Sequence, residues 1–493
     1  MAAPRTNVHD RSPAALIPLA GAAVLMGMLF GSVLFLHWMP QMVVVASVMI
    51  GLAFFVRPQL SLMAFFGLRA IVDLLWWLPF SFMGLNVMEL FSGGAAALAL
   101  VLFYLELRRF ENHPAIPTFA PYLIIISFTA IRDMNLRDGL EILARYMSPF
   151  LFMFVVTAFF DTRKKRREFF LMLTVVCAIP ILASLYHLLA GQMNSYSLDG
   201  YNRLIGGYKN LHTHALMMMF ITSVGLFWVQ HVRRMNFTVL FAAYTGLAVM
   251  CLYFSYVRTA MLGLAIGGLV FLWAAGRTRL LMVALFAGGL LVLTSDTIQD
   301  RFSDLTLLFS SGMYADDRGE LGSGRLALWS VSMKEYLKYP FGEVMLGLGL
   351  GKHAQLTAPF FTLAYLDPKI GEIDPHNDYL SLLYQMGPIA PLAYIAIQAQ
   401  VVRYGLRLRR VGKDQWARDF GAFMVAMSAT AFATNSVSNA FISRVTLSWF
   451  YWGLAGILFG EAVQTFRELK QEKQAGPKVE PDTAPEDEAL ALA

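Results

Sequence analysis

Stretches of about 20 apolar residues, each long enough to cross the hydrocarbon core of a bilayer as a helix, recur along this chain almost from end to end. They fall near 14–36, 38–56, 58–80, 84–107, 117–131, 140–160, 168–190, 213–231, 237–254, 256–275, 279–294, 378–402, 417–434 and 445–465. Lipid offers no partner to an open backbone, so a chain with this pattern must fold as spanning helices. Composition agrees: 57% of the 493 residues are hydrophobic and only 15% are charged, more apolar side chain than a soluble fold of this length hides. The fold class predicted is all-α, a polytopic membrane helical bundle of about 12–14 transmembrane helices with a large loop or cap on one side.

The net charge of +6 does not point to nucleic acid, because the basic residues form short clusters between apolar runs. Arg57, Arg108-Arg109, the run Arg163-Lys164-Lys165-Arg166-Arg167, Arg233-Arg234, Arg277 with Arg279, and Arg403 through Arg418 all follow even-numbered spans. By the positive-inside rule those loops, and both termini, belong in the cytoplasm. The odd loops then face outward, including 191–212 and the long interval 295–377. The first run, behind Arg5 and Arg11, reads as an uncleaved signal anchor. The resulting division is a cytoplasmic N-terminus at 1–13, a bundle at 14–294, a large outer loop at 295–377, C-terminal helices at 378–465 and a disordered tail at 466–493. Cys177 and Cys251 both sit in apolar segments and read as packing residues.

Within the outer loop, 324–336 has the pattern of an amphipathic helix that ends before Pro340. The loop closes on Asp374-Pro375-His376-Asn377-Asp378-Tyr379, which puts a titratable imidazole among polar groups at the mouth of a hydrophobic helix. Such an imidazole suits a general base at the water–lipid boundary. Its plain structural alternative is a cap for the helix that starts near Asn377. This topology also places Arg203, Lys209, Arg258 and Arg325 outside, against the usual charge bias. For each the bland reading is a side chain snorkelling to headgroups. Arg258 differs, because Ser255-Tyr256-Val257-Arg258 joins two apolar runs with almost no loop. Its guanidinium requires either an anion, for which a lipid-linked phosphate or pyrophosphate is suited, or an acidic partner such as Asp199, Asp374 or Asp378.

Three weaker signals carry less. Gly347-Leu348-Gly349-Leu350-Gly351-Lys352 lacks the spacing of a phosphate loop and reads as a flexible turn. His212-Thr213-His214 and Asp316-Asp317 lack the further ligands a metal needs. Arg69 and Asp73, four apart, read as a structural pair on one helix face.

The order Tyr256-Val257-Arg258-Thr259-Ala260, Gly324-Arg325 with Trp329, Gly347-Leu348-Gly349, then Pro375-His376-Asn377-Asp378-Tyr379-Leu380 and Gly387 resembles the O-antigen ligase and polymerase superfamily of bacterial envelope glycosyltransferases. The resemblance covers about 200–400; Tyr256-Val257 stands where many members carry Ser or Thr before the arginine. It implies a GT-C-like fold in the bacterial inner membrane and a reaction at the periplasmic face on undecaprenyl-diphosphate-linked glycan, without cofactor, metal or nucleotide sugar. It further implies that His376 activates the acceptor hydroxyl and that Arg258 and Arg325 hold the leaving diphosphate. Arg203, Lys209 and Asn377 follow as candidate contacts to sugar or phosphate. Membrane lipids, a flippase and a chain-length regulator are the implied partners.

Two reactions share this chemistry. A polymerase moves a growing glycan onto a new lipid-linked repeat, and a ligase moves it to lipid A-core or protein; the expectation here is a polymerase making a surface or exopolysaccharide with inversion. A transporter or flippase for an anionic lipid-linked substrate also needs arginines, but transporters place them near the bilayer midplane on broken helices, not at one edge beneath a long loop.

Overall fold

The computed structural model describes residues 57–77, 81–82, 85–106, 113–132, 136–192, 194–195, 202–232, 234–294, 325–357 and 375–475. The first two expected spans, the tail beyond 475, Asp316-Asp317, Asp199 and Asp374 lie outside them. What is described is an all-α membrane bundle, with two-residue strand pairs Ser81–Phe82/Leu85–Asn86 and Asn194–Ser195/Asn202–Arg203 as its extended elements.

In chain order the helices are α1 (Pro58–Val72), α2 (Val87–Leu105), α3 (Ile116–Arg132), α4 (Leu136–Phe159), α5 (Arg163–Val176), α6 (Ala178–Leu189), α7 (Leu211–His231), α8 (Met235–Ser255), α9 (Arg258–Ala274) and α10 (Thr278–Thr294). After the outer-loop interval come α11 (Arg325–Tyr336), α12 (Phe341–Leu346), α13 (Asp378–Met386), α14 (Ile389–Val411), α15 (Gln415–Val437) and α16 (Val445–Ala475). Among the described residues, five segments are by themselves long and apolar enough to cross a membrane: Pro58–Leu75, Arg163–Leu189, Leu211–His231, Met235–Ser255 and Gln415–Val437.

Two expected helices are broken. The span expected at 168–190 divides at Cys177, because Pro180 cannot donate to the Val176 carbonyl. The span expected at 378–402 divides at Gly387-Pro388, where Gly387 takes φ +76° and α14 starts afresh after the proline. Elsewhere the apolar runs and helices coincide to within a few residues, except that α1 with its 3-10 extension Asp73–Leu75 stops well before residue 80 and α16 runs past 465 to Ala475, into the stretch expected as a disordered tail. Tyr256, at φ 53°, turns α8 directly into α9.

The core forms where α4 lies along α16, flanked by α1, α2 and α5, with α14 and α15 packed behind. Its centre is aromatic: Phe152 and Trp449 have ring centroids 4.4 Å apart, and Phe150 and Trp452 4.3 Å apart. Each ring is essentially inaccessible. The α14–α15 crossing is close because Gly405 and Gly421 meet there, a Cβ on Gly421 falling 2.5 Å from the Gly405 carbonyl oxygen. Cys177 and Cys251 are buried and free, in packing positions as expected.

The two ends of the bundle are chemically unlike. At one, basic residues of α5 and of the α14–α15 turn meet carboxylates of α15 and α16: Arg163 bonds Glu461 at 2.7 Å and Glu468 at 2.9 Å, and Arg166 bonds Glu461 at 2.8 Å. Arg167 pairs with Asp414, and Lys413 with Glu468 and Glu472. At the other, Arg69 donates to Asp73, Thr446 and Ser92, so that α1, α2 and α16 share one buried knot; the pairing of Arg69 with Asp73 is the one expected. Arg203, Arg258, Arg325 and His376 are at this second end.

Candidate functional site

His376 stands in the turn before α13, with φ 52°, the left-handed region that a residue with a Cβ rarely enters. The helix cap is not His376 but Asn377, whose Oδ1 accepts from the N–H groups of Tyr379 and Leu380 at 3.0 and 3.1 Å. Asn377 Nδ2 in turn donates to the Ser436 carbonyl at 2.7 Å. Both ends of this amide therefore fix the turn that presents the imidazole.

Asp378 is fully buried, and its carboxylate accepts from Ala440 N at 2.8 Å, Ile442 N at 3.2 Å and the Ser443 hydroxyl. It ties α13 to the loop between α15 and α16. From the cap side, Trp329 Nε1 donates to the Pro375 carbonyl at 2.7 Å. Three elements thus converge on two residues either side of His376.

Arg325, the first residue of α11, donates to the Val437 carbonyl at the end of α15. Burial first, and the Arg258 guanidinium second, pull its pKa below the ordinary arginine value. Arg258 opens α9, directly after the α8–α9 turn, in which Ser255 Oγ accepts from Val257 N at 3.3 Å. Two guanidinium groups within electrostatic reach of one another favour an anion between them.

The remaining contributors come from before α7. Leu204 N donates to the Phe254 carbonyl at 2.9 Å, which holds the segment carrying Arg203 against the end of α8. His212, in the first turn of α7, lies with its ring centroid 6.2 Å from that of His376. It is also within electrostatic reach of Arg325, Arg444 and Arg203. The structure therefore gathers Arg203, Arg258, Arg325 and His376 into one cluster. Lys209 is exposed in the turn before Asn210, which caps α7.

Two members of the cluster are absent from the sequence-based set. Arg444 follows the α15–α16 loop, an outward loop by the span count, so the polarity argument that singled out Arg203 reaches it as well. His212 was weighed only as a metal ligand with His214. The pair diverges: His214 is buried against Ser184 Oγ at 3.0 Å, while His212 faces His376.

The Gly347–Gly351 stretch is pinned rather than flexible. Leu348 N and Gly349 N donate to the Tyr384 and Gln385 carbonyls at 2.8 and 3.0 Å, and Gly351 N to Gln385 Oε1 at 2.9 Å. These N–H groups cap the C-terminus of α13. Tyr336 and Tyr384 pack at 5.0 Å beside this seam, and Ser332 Oγ and the Tyr384 hydroxyl lie 3.0 Å apart. Partial burial, then Tyr384, raise the Tyr336 phenol to about 12.

Residues 243–395 match the family model described as O-antigen ligase, a segment that contains Arg258, Arg325, His376 and Asn377. No curated protein matches the chain.

Proposed function

From the match of residues 243–395 to the O-antigen ligase family model, we propose that the chain is a membrane glycosyltransferase that polymerises undecaprenyl-diphosphate-linked oligosaccharide repeats into a surface or exopolysaccharide. The observation that carries this reading is the convergence of His376 with Arg203, Arg258 and Arg325 at the end of the bundle that bears α11. A base beside fixed guanidinium groups is what glycosyl transfer from a diphosphate requires.

In this reading His376 takes the proton of the acceptor hydroxyl as its oxygen attacks the anomeric carbon. The bond from that carbon to the diphosphate oxygen breaks, the electron pair leaves with the diphosphate, and Arg258 and Arg325 stabilise the charge that develops. One displacement inverts the anomeric configuration. Arg203 and Arg444 line the same anionic region, Lys209 reaches for sugar or phosphate from its rim, and Asn377 sets the turn of His376. The cluster faces the periplasm and the basic end faces the cytoplasm, in the inner membrane, with both termini cytoplasmic.

The family description equally suits a ligase that hands finished polymer to lipid A-core or protein. Deleting the gene separates the two: single repeats accumulate on the lipid carrier if the chain is a polymerase, finished polymer on the carrier if it is a ligase. For the shared chemistry, His376→Ala and Arg258→Ala are each expected to abolish polymer while the protein remains inserted and abundant. Normal polymer from both variants would overturn the catalytic assignment.

A further inference from the structure

The arginines of the cluster are donors only, with no atom that can receive the proton of a hydroxyl. His212 brings a second imidazole to the place where His376 stands, from a helix on the far side of the site and from outside the segment that matches the family. Its backbone is fixed, because Asn210 Oδ1 accepts from His212 N at 2.8 Å. Its Nδ1 is buried and has no hydrogen-bond partner among the described residues, an unfavourable arrangement that a ligand hydroxyl would complete. The two rings, 6.2 Å apart and inclined by 35°, are not stacked. Two hydrogen bonds of about 2.8 Å that meet at one tetrahedral oxygen set their nitrogens about 4.6 Å apart and the ring centroids, each about 1.1 Å further back, about 6.4 Å apart. A single hydroxyl oxygen fits between such rings, and a hydroxyl both donates and accepts, as a pair of neutral imidazoles requires.

We propose that His212 binds the acceptor sugar, holding the attacking hydroxyl against His376 by an N–H bond to the same oxygen. This rests on the transferase reading above and names the acceptor subsite within it. The hydroxyl proton passes to His376, the oxygen accepts from His212, and the remaining lone pair forms the new glycosidic bond as the bond to the diphosphate breaks. His212 takes no proton and changes no charge. Its contribution is to the acceptor, while that of Arg258 and Arg325 is to the donor.

The test uses the full chain in nanodiscs with a lipid-diphosphate-linked oligomer of several repeats as donor and a lipid-diphosphate-linked single repeat as acceptor, following transfer and, separately, equilibrium binding of the donor. In His212→Phe, which keeps the ring and removes both nitrogens, transfer is expected to fall about ten- to hundredfold, the scale of a misplaced reacting group, with donor affinity within about threefold of the parent. His212→Asn, which restores an N–H near the position of Nδ1, is expected to recover most of that loss through the acceptor KM. Full transfer by His212→Phe, or loss of donor affinity in step with transfer, would overturn the assignment. Should the Phe variant fail to accumulate, His212→Leu, which also lacks an N–H, decides: a raised acceptor KM with an unchanged donor KM supports the proposal, and a parental acceptor KM refutes it. Failure of the transferase reading looks different, since the parent chain itself would then transfer nothing.

Discussion

At His376 the backbone occupies the left-handed region at a cost of about 1–2 kcal/mol, and the neighbours on either side show how the cost is met. Pro375 is held by Trp329, Asn377 by Ser436, and Asp378 by the 440–443 loop. Asp378 is the strongest of these anchors, because its buried carboxylate takes up backbone N–H groups that would otherwise lack acceptors. We predict that Asp378→Asn lowers stability by about 2 kcal/mol, the scale of one charge-assisted bond, seen as a fall in Tm in detergent, and that transfer falls with it because the loop before Arg444 loosens. An unchanged Tm would remove the anchoring role. His376, Arg258 and Arg325 were legible in the sequence because charge on the outer side of a membrane chain is conspicuous. His212 was not, since nothing local to Asn210-Leu211-His212 signals that the ring meets another one 164 positions later.

Among the elements, the seam between the glycine-rich stretch and α13 decides whether the segment 325–357 is a cap or a tether. Gly347 and Gly387 approach backbone to backbone: a Cβ at Gly387 would lie 2.0 Å from the Met345 carbonyl oxygen, and one at Gly347 2.3 Å from the Gln385 carbonyl. Both also take positive φ. Gly387→Ala is predicted to destabilise by at least about 2 kcal/mol and to open the 337–357 region to limited proteolysis; protection equal to the parent would show the seam is dispensable. Hydrophobic length showed where α1–α4 and α7–α10 lie. It did not show that 168–190 and 378–402 are each two helices, because the breaks are set by Pro180 and by Gly387-Pro388, which leave no dip in hydropathy.

For the whole molecule, the separation of charge between the two ends makes stability and function independently testable. Arg166 and Glu461 are both fully buried and bonded at 2.8 Å. Arg166→Ala is predicted to cost about 2 kcal/mol by taking both donors from Glu461 Oε2 while Arg163 still holds Oε1, whereas a joint replacement with Met and Leu is expected to be milder; equal Tm losses would refute the pairing. Glu468 gives a pH dependence at the same end. Slight burial raises its pKa, but hydrogen bonds from Gln464, Lys413 and Arg163 win and hold it at about 2, below the ordinary 4.5. A lowered folded pKa contributes stability that is complete above about 4.5 and fades as pH falls toward about 2. Tm should therefore drop across that window, and Glu468→Gln should flatten the drop. A periplasmic reporter signal at position 340 is expected from the proposed orientation, and a cytoplasmic one would reverse it.

The turn of His376 is gripped by Ser436 and by the 440–443 loop, and Arg325 by Val437. These clamps lie C-terminal to the residues they hold, so they leave the ribosome after them. A nascent polypeptide already carrying Arg203, Arg258 and Arg325 is thus still without Arg444 and without a fixed turn at His376, so the proposed site stays incomplete until α15 and α16 have entered the membrane. Premature termination after α14 would yield an inserted, inert product rather than an unregulated one.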